Sequence, residues 1–370
     1  MELRRVREGS TSFLVPVAGG GSDAAPQKAP IFYNPSTELN RDATILLLSV
    51  IQPSDYVDAM GASGVRGLRA AKESGLKVLI NDHNPLAAKL IDENARSLGI
   101  ACEITRLDVN ALLSSRHFDA VDLDPFGSPA PFADSAIRAA RRFLFVTATD
   151  TAPLCGAHLK AGMRRYFSSS MNTEYHAEVG IRNLLGFVAR EALKYDRGIE
   201  PLFCFAKRHY VRLHLRLQPG VRAAERTMER FGYILQCPGC PSREEASGIL
   251  PPCRRCPHCG GEMRPIGPLW LGGMQDRSIL EAMGSRLGGM RLGTARELSR
   301  LLALCRGELD LSYHFDYHNL ARYANRTPPP AEVLLDRLMT MGFKVCRTHY
   351  SGTAIKTDAP FEEIIRALSA

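Results

Sequence analysis

Between Tyr56 and Asp150, short apolar runs alternate with stretches of helical periodicity, and that alternation leaves little choice of architecture. The runs are YVDAM, KVLIND, CEITRLD, FDAVDLD and RFLFVTATD. Strands apolar along their whole length must be covered on both faces, which predicts a parallel sheet with helices on each side. The intervening GVRGLRAAKESG and NPLAAKLIDENARSLG supply helices, the second with apolar residues at helical spacing and a glycine stop. A long helix is expected from Thr173 to about Tyr195, followed by LFCFAKRHY and VRLHLRLQ as an antiparallel pair at the sheet edge. The stretch AGGGSDAAPQKAP, Ala18 to Pro30, reads as a flexible loop. Past Gly220 the chain turns to cysteines, prolines, short helices and a final strand pair. With 370 residues available, the expectation is two domains, 1–220 and 221–370, the first a doubly wound Rossmann-like α/β fold, the second a smaller α+β unit.

The apolar stretches ILLL and FLFV are far too short to cross a bilayer, and no charged, apolar, small-residue leader opens the chain. The reading is a soluble, cytoplasmic protein with no membrane partner. A formal charge of +8 and a pI of about 9 suit a polyanionic partner.

DAMGASGVRG, Asp58 to Gly67, follows the first strand and opens a helix, and its glycines let the backbone turn and approach a ligand. Asp82 ends the second strand 24 residues after Asp58, the place of a ribose-binding acid in a doubly wound sheet. Asp108 ends the third, where it can hold the amine of an adenine ring. No P-loop lysine follows the glycines, and the loop is not the GxGxxG of dinucleotide enzymes. An adenosine ligand without a pyrophosphate fits, and S-adenosylmethionine is such a ligand. The plainer alternative for Asp82 and Asp108 is helix N-capping.

The fourth strand ends in DLDPFGSP, Asp122 to Pro129. Asp124 would face a ligand beyond the carboxyl ends of the strands. The exocyclic amine of a base is a poor nucleophile, because its lone pair is delocalised into the ring. A carboxylate that accepts its hydrogens orients it and takes a proton as a methyl arrives. Proline stiffens the turn and Phe126 can stack on the base. The alternative is a turn whose aspartate caps the next helix. A cytosine-carbon methyltransferase would need a cysteine nucleophile, and this turn has none.

With these residues assembled, the chain resembles the tRNA (guanine-26) dimethyltransferases in their archaeal form, over nearly its whole length. FYNPSTELNRD, DAMGASGVRG, DLDPFGSP, ATDTAPLCGA, TEYHAEVGIR, IGPLW and THYSGTAIKTDAP carry the resemblance. It implies transfer of two methyl groups from S-adenosylmethionine to the 2-amino group of a guanine in tRNA. It further implies cofactor contacts from Arg41 and Arg66, and adenosine-holding positions at Asp82, Asp108 and Val109. Asp124 matches the catalytic acid, and Phe32 and Phe126 match the aromatics that pinch the base. A same-fold rival, an adenine or glutamine amine methyltransferase, would carry DPPY or NPPY in place of DPFG. The rival of another class is a zinc-bearing RNA-binding module on an inactive nucleotide fold.

Five of the ten cysteines fall within Cys237 to Cys259. CPGC (Cys237, Cys240) and CPHC (Cys256, Cys259) lie 15 residues apart, the spacing of a closed four-thiolate zinc site. Cys253 leaves a second pairing open through CRRC; the proline and glycines of CPHCGG favour Cys256 and Cys259. Such a zinc is structural. Cys102, Cys204, Cys305 and Cys346 read as core cysteines. The remaining C-terminal stretch resembles a winged-helix variant, with Arg322, Arg326, Arg337, Arg347 and Lys356 as candidate phosphate contacts. No obligate protein partner is expected.

Overall fold

The computed structural model describes residues 2–17 and 30–369, so the loop expected over Ala18–Pro30 lies, apart from Pro30, outside the described residues. In chain order the elements are β1 (Leu3–Glu8), β2 (Thr11–Pro16), α1 (Glu38–Ile51), β3 (Tyr56–Asp58), α2 (Val65–Ser74), β4 (Val78–Asn81) and α3 (Pro85–Leu98). β5 (Glu103–Thr105), α4 (Val109–Ser115), β6 (Phe118–Leu123), α5 (Ala133–Ala139), β7 (Ala140–Ala148), α6 (Thr151–Leu154), α7 (Leu159–Tyr166) and α8 (His176–Leu193) follow. Next come β8 (Arg197–Lys207), β9 (Tyr210–Pro219), α9 (Val221–Met228), β10 (Phe231–Gln236), β11 (Arg243–Ser247) and β12 (Arg264–Trp270). The chain ends with α10 (Arg277–Leu287), α11 (Ala295–Gly307), β13 (Phe315–Asp316), α12 (Tyr317–Tyr323), α13 (Ala331–Thr340), β14 (Val345–Arg347), β15 (Ala354–Thr357) and α14 (Phe361–Ser369).

The main sheet has seven strands in the order β5-β4-β3-β6-β7-β9-β8. From β5 to β7 every neighbouring pair is parallel, with Tyr56 opposite Val78 on one side and Ala120 on the other. β3, β4 and β6 are buried at every position, which is why their sequences are apolar runs without alternation. Two residues join β8 to β9, and a connection so short between sheet neighbours can only make an antiparallel hairpin. The helices begin and end where their sequences say. Asn84 caps α3 by accepting the Leu86 N–H, Pro85 takes its first position, and Gly99 ends it in the left-handed conformation.

The chain forms two compact units. The first comprises Met1–Thr147, His214–Leu217 and Arg277–Leu302; the second comprises Ala148–Leu213, Gln218–Asp276 and Ala303–Ala370. Within the first, the basic N-terminal stretch forms an unanticipated hairpin, β1–β2. Its Phe13 and Val15 pack on Val65 at the start of α2. Its Glu8 is 1% exposed and receives the guanidinium groups of Arg41 and Arg69. Helix α10 returns to pack on α1, and Thr294 donates from both its N–H and its hydroxyl to Asp42 Oδ2.

In the second unit the long helix runs over His176–Leu193, inside the predicted limits. The sheets β11-β10-β12 and β13-β15-β14 follow. Helices α12 and α13 precede the hairpin β14–β15 as a winged-helix variant requires, with α14 packed on both helices. Lys356, a candidate phosphate contact from sequence, is 1% exposed and lies 2.7 Å from Glu178 and 3.3 Å from Glu308. It cannot reach an RNA. Glu178 also takes Arg182 at 2.9 Å and His314 at 3.0 Å, a buried set of alternating charges at the centre of this unit.

Candidate active site

The carboxyl ends of β3, β4, β5 and β6 lead into the acids that the sequence singled out, together with one it did not. Asp82 directly follows β4. Its Oδ2 accepts the Ala62 N–H at 2.8 Å and its Oδ1 the Asn84 N–H at 2.9 Å. It therefore ties down the glycine loop, and the capping of α3 falls to Asn84. Each carboxylate oxygen has room for a second donor, so Asp82 fits a ribose hydroxyl as well. Asp108 is exposed and caps α4 by accepting the Ala111 N–H at 3.1 Å through Oδ1. Val109, the first residue of that helix, is buried. The glycines serve packing as much as ligand approach. Gly64 sits at φ 77° as the N-cap of α2, and a Cβ on Gly61 would lie 2.4 Å from Ile80 Cγ2.

Arg66, in the first turn of α2, is 5% exposed and points into the site. One Nη donates to Asn40 Oδ1 at 3.1 Å and to Thr44 Oγ1 at 3.0 Å; the other donates to Asp124 Oδ2. Behind it, Asp122 Oδ2 lies 3.8 Å from Arg66 and accepts the Tyr56 hydroxyl at 2.8 Å. Asp58, fully buried, accepts the Gly67 N–H at 2.9 Å. Burial raises its carboxyl to about 7, against the pull of Arg66, and the nearby Asp122 and Asp124 push the same way as burial. Sequence reasoning treated Asp58 as the end of a strand and found neither its partner nor its altered acidity. Nothing in a linear reading announces that two aspartates will pair with one guanidinium and that a third will be buried within reach of their charge.

Asp124 keeps 29% of its side chain open to solvent. Two residues on, Phe126 is 69% exposed and meets Phe32 edge-on, ring centroids 4.5 Å apart. The fold thus brings together Asp124, Arg66, Phe126 and Phe32, which are far apart in sequence. Arg41 is held in place by its neighbours. Its guanidinium donates to Glu8, to Thr37 Oγ1 at 2.6 Å and to the Asn34 carbonyl at 3.0 Å, and lies 5.5 Å from the Tyr33 ring centroid.

In the second unit β10 pairs with both β11 and β12, and Gln236 sits opposite Arg243 on one side and Arg264 on the other. That register brings the two CxxC turns together. Cys237 Sγ lies 3.4 Å from Cys259 Sγ and Cys240 Sγ lies 3.5 Å from Cys256 Sγ, and all four sulfurs fall within 4.8 Å of one another. A tetrahedral zinc with bonds of about 2.3 Å separates its sulfurs by about 3.8 Å, so the donor set fits. Cys253 is exposed and stands outside this group. Among the described residues no helix is long and apolar enough to cross a membrane.

Parallel strands feeding consecutive acids, with a hairpin closing the far edge of the sheet, make this a Rossmann-like fold of the methyltransferase class. Within that class, the chain belongs to the N2,N2-dimethylguanosine tRNA methyltransferase family, whose model matches residues 10–369. It is 57% identical over 368 residues to the tRNA (guanine(26)-N(2))-dimethyltransferase of Methanoregula boonei, covering 100% of this chain and 98% of the relative. To that of Methanosphaerula palustris it is 55% identical, with full coverage of both chains. Among solved structures it is similar to Trm1 from Pyrococcus horikoshii in complex with S-adenosyl-L-methionine. The TM-score is 0.90 at 35% identity, over 99% of this chain and 100% of that one.

Proposed function

We propose that the chain is a tRNA (guanine(26)-N2)-dimethyltransferase, which places two methyl groups on the 2-amino group of guanine 26. The observation that carries the reading is Asp124, held at its strand end by a buried arginine and set beside two aromatic rings. The full-length likeness to relatives of that name supports the choice of substrate. S-adenosylmethionine supplies the electrophilic methyl group. Arg41 and Arg66 contact it, Asp82, Asp108 and Val109 hold its adenosine beyond the ends of β4 and β5, and Glu8 and Asn34 keep Arg41 in place. Phe32 and Phe126 part to take the base between their faces.

Asp124 accepts a hydrogen of the amine, directs the nitrogen lone pair at the methyl carbon, and takes the proton released once the N–C bond has formed. The first turnover leaves a secondary amine with one hydrogen, so the same carboxylate serves the second transfer. Arg66 pairs with Asp124 and fixes the position of its oxygen, the arrangement that a base-accepting carboxylate needs. Functionally, residues 1–220 hold cofactor and base. Residues 221–370 hold a structural zinc at Cys237, Cys240, Cys256 and Cys259 and grip the tRNA, and the enzyme works in the cytoplasm, where that substrate is.

The test is mass analysis of nucleosides from unmodified tRNA incubated with the protein and S-adenosylmethionine. N2,N2-dimethylguanosine at position 26 is expected. Methylation confined to adenine, or none with cofactor bound, overturns the reading.

A further inference from the structure

We infer that helix α7 and its cap residue Phe167 form a docking surface for the RNA substrate, with Phe167 presenting its ring to an unstacked base. The inference rests on the proposed tRNA reading. α7 is fixed to its own unit by one face only. Gly162 and Tyr166 are buried there. A Cβ on Gly162 would lie 2.7 Å from the Pro153 carbonyl oxygen. The Tyr166 hydroxyl donates to Asp150 Oδ1 at 2.6 Å, and its ring meets Phe187 edge-on at 5.5 Å.

Along one flank of that buried face run Leu159, Met163 and Phe167, spaced by one helical turn, with exposures of 43%, 51% and 73%. The helix is anchored through Gly162 and Tyr166, and the apolar row beside them is left largely in water; such rows mark contact surfaces. Phe167 is the clearest of the three. It ends the helix at φ 50°, ψ 38°, the left-handed conformation that glycine or asparagine takes at little cost and an aromatic residue rarely does. The strain holds a large ring out in water, where it gains nothing until something covers it.

Charge decides what covers it. From Thr151 through Thr173 the sequence holds no Asp or Glu. Lys160 and Arg164, one turn apart beside the apolar row, are exposed and have no ion-pair partner among the described residues. Arg165 pairs with Asp150 at 2.9 Å and is already satisfied. Two unpaired cations flanking an exposed aromatic ring answer the two features of a single RNA strand, its phosphates and the flat faces of its bases.

Full-length protein carrying Phe167→Asn, Phe167→Gly, Phe167→Tyr, or Lys160→Ala with Arg164→Ala provides the test. The readouts are tRNA affinity across a salt series, S-adenosylmethionine affinity, melting temperature, and single-turnover rate at saturating tRNA. Phe167→Asn and Phe167→Gly suit the left-handed backbone, so the melting temperature should hold or rise while tRNA affinity falls about five-fold to a hundred-fold. Phe167→Tyr should retain affinity. The double variant should flatten the slope of log affinity against log salt by about 1.5. Cofactor affinity and the saturated rate should stay at the wild-type values in all four. Wild-type tRNA affinity and salt slope in the Asn and double variants overturn the inference while leaving the proposed function intact. Wild-type protein that binds no tRNA removes that function first. Unchanged tRNA binding with lost binding to vesicles containing phosphatidylserine would assign α7 to a membrane surface and also overturn the inference.

Discussion

Replacing Asp124 by asparagine separates its chemistry from its structural surroundings. The amide keeps the volume, and its carbonyl oxygen can still accept from Arg66, which retains Asn40 at 3.1 Å, Thr44 at 3.0 Å and Asp122 at 3.8 Å. The buried arginine is therefore left neither unpaired nor unbalanced in charge, and the fold and the cofactor contacts of the loop should survive. What goes is the basicity that takes a proton from the amine. Acid–base assistance is worth roughly 10²- to 10⁴-fold, about 2.7–5.5 kcal/mol of barrier. In a single-turnover assay with a labelled methyl group, at saturating tRNA and cofactor, the Asp124→Asn rate should fall at least about a hundred-fold. Cofactor affinity should change by less than about three-fold, since no cofactor contact is assigned to Asp124. A second, independent signature follows from the closeness of these charges. Asp124 is one of the charges that push Asp58 up to about 7, so Asp58 should titrate lower in the variant, as read by carbon NMR of labelled aspartate. A near-wild-type single-turnover rate would refute the role of Asp124. A comparable loss of cofactor affinity would place it in cofactor binding instead.

Three further outcomes are expected. Asp82→Asn should weaken S-adenosylmethionine binding about ten- to hundred-fold by calorimetry, the value of a hydrogen bond to a charged acceptor; unchanged affinity would leave Asp82 as a loop tie alone. Metal analysis should find about one zinc per chain, lost when Cys237 and Cys240 are both changed to serine, with local unfolding and weaker tRNA binding; a metal-free wild type of normal stability contradicts this. Lys356→Met should cost about 3–5 kcal/mol in denaturant melts by leaving buried carboxylates short of a cation. It should also flatten the acid limb of stability. Burial raises the Glu308 carboxyl, but His349 and Lys356 outweigh it and hold the group at about 2, below its ordinary 4.5. The stability this contributes, about 3 kcal/mol, is therefore complete above pH 4.5 and disappears as pH falls towards 2. Identical acid limbs in wild type and variant would refute the coupling.

The parts of this fold legible in sequence are those governed by local patterning. β3, β4 and β6 could be read because burial on both faces forces unbroken apolar runs, and α3 because Asn84, Pro85 and Gly99 mark its ends. The cysteine spacing was legible because the two turns need only fall at one end of a three-stranded sheet. What stayed hidden depends on long-range pairing between ordinary-looking charges. Glu8 reads as one acid in a basic stretch, yet it anchors Arg41 and Arg69. Lys356 reads as a surface base, yet it is buried between two glutamates. Whether a charge faces water or another charge is settled by packing, which no local period records. Phe32 and Tyr33 are adjacent aromatics, and their different duties emerge only when Phe32 meets Phe126 and the Tyr33 hydroxyl donates to Glu8 at 2.9 Å.

The return of α10 to α1 carries a consequence for how the protein is made. Asp42 and Thr294 are hydrogen-bonded across 252 residues of chain, and the first compact unit extends to Leu302. A ribosome that has emitted the whole strand and helix series as far as β7 has therefore not yet emitted the segment that covers α1, and closing so long a loop is intrinsically slow. During that interval the apolar side of α1 stands open, a stage at which nascent chains attract chaperones or one another. Maturation of the unit that carries Asp124 is thus delayed until some four-fifths of the polypeptide has left the ribosome. A chain cut short before that point lacks the segment that covers α1 and the partner of Asp42.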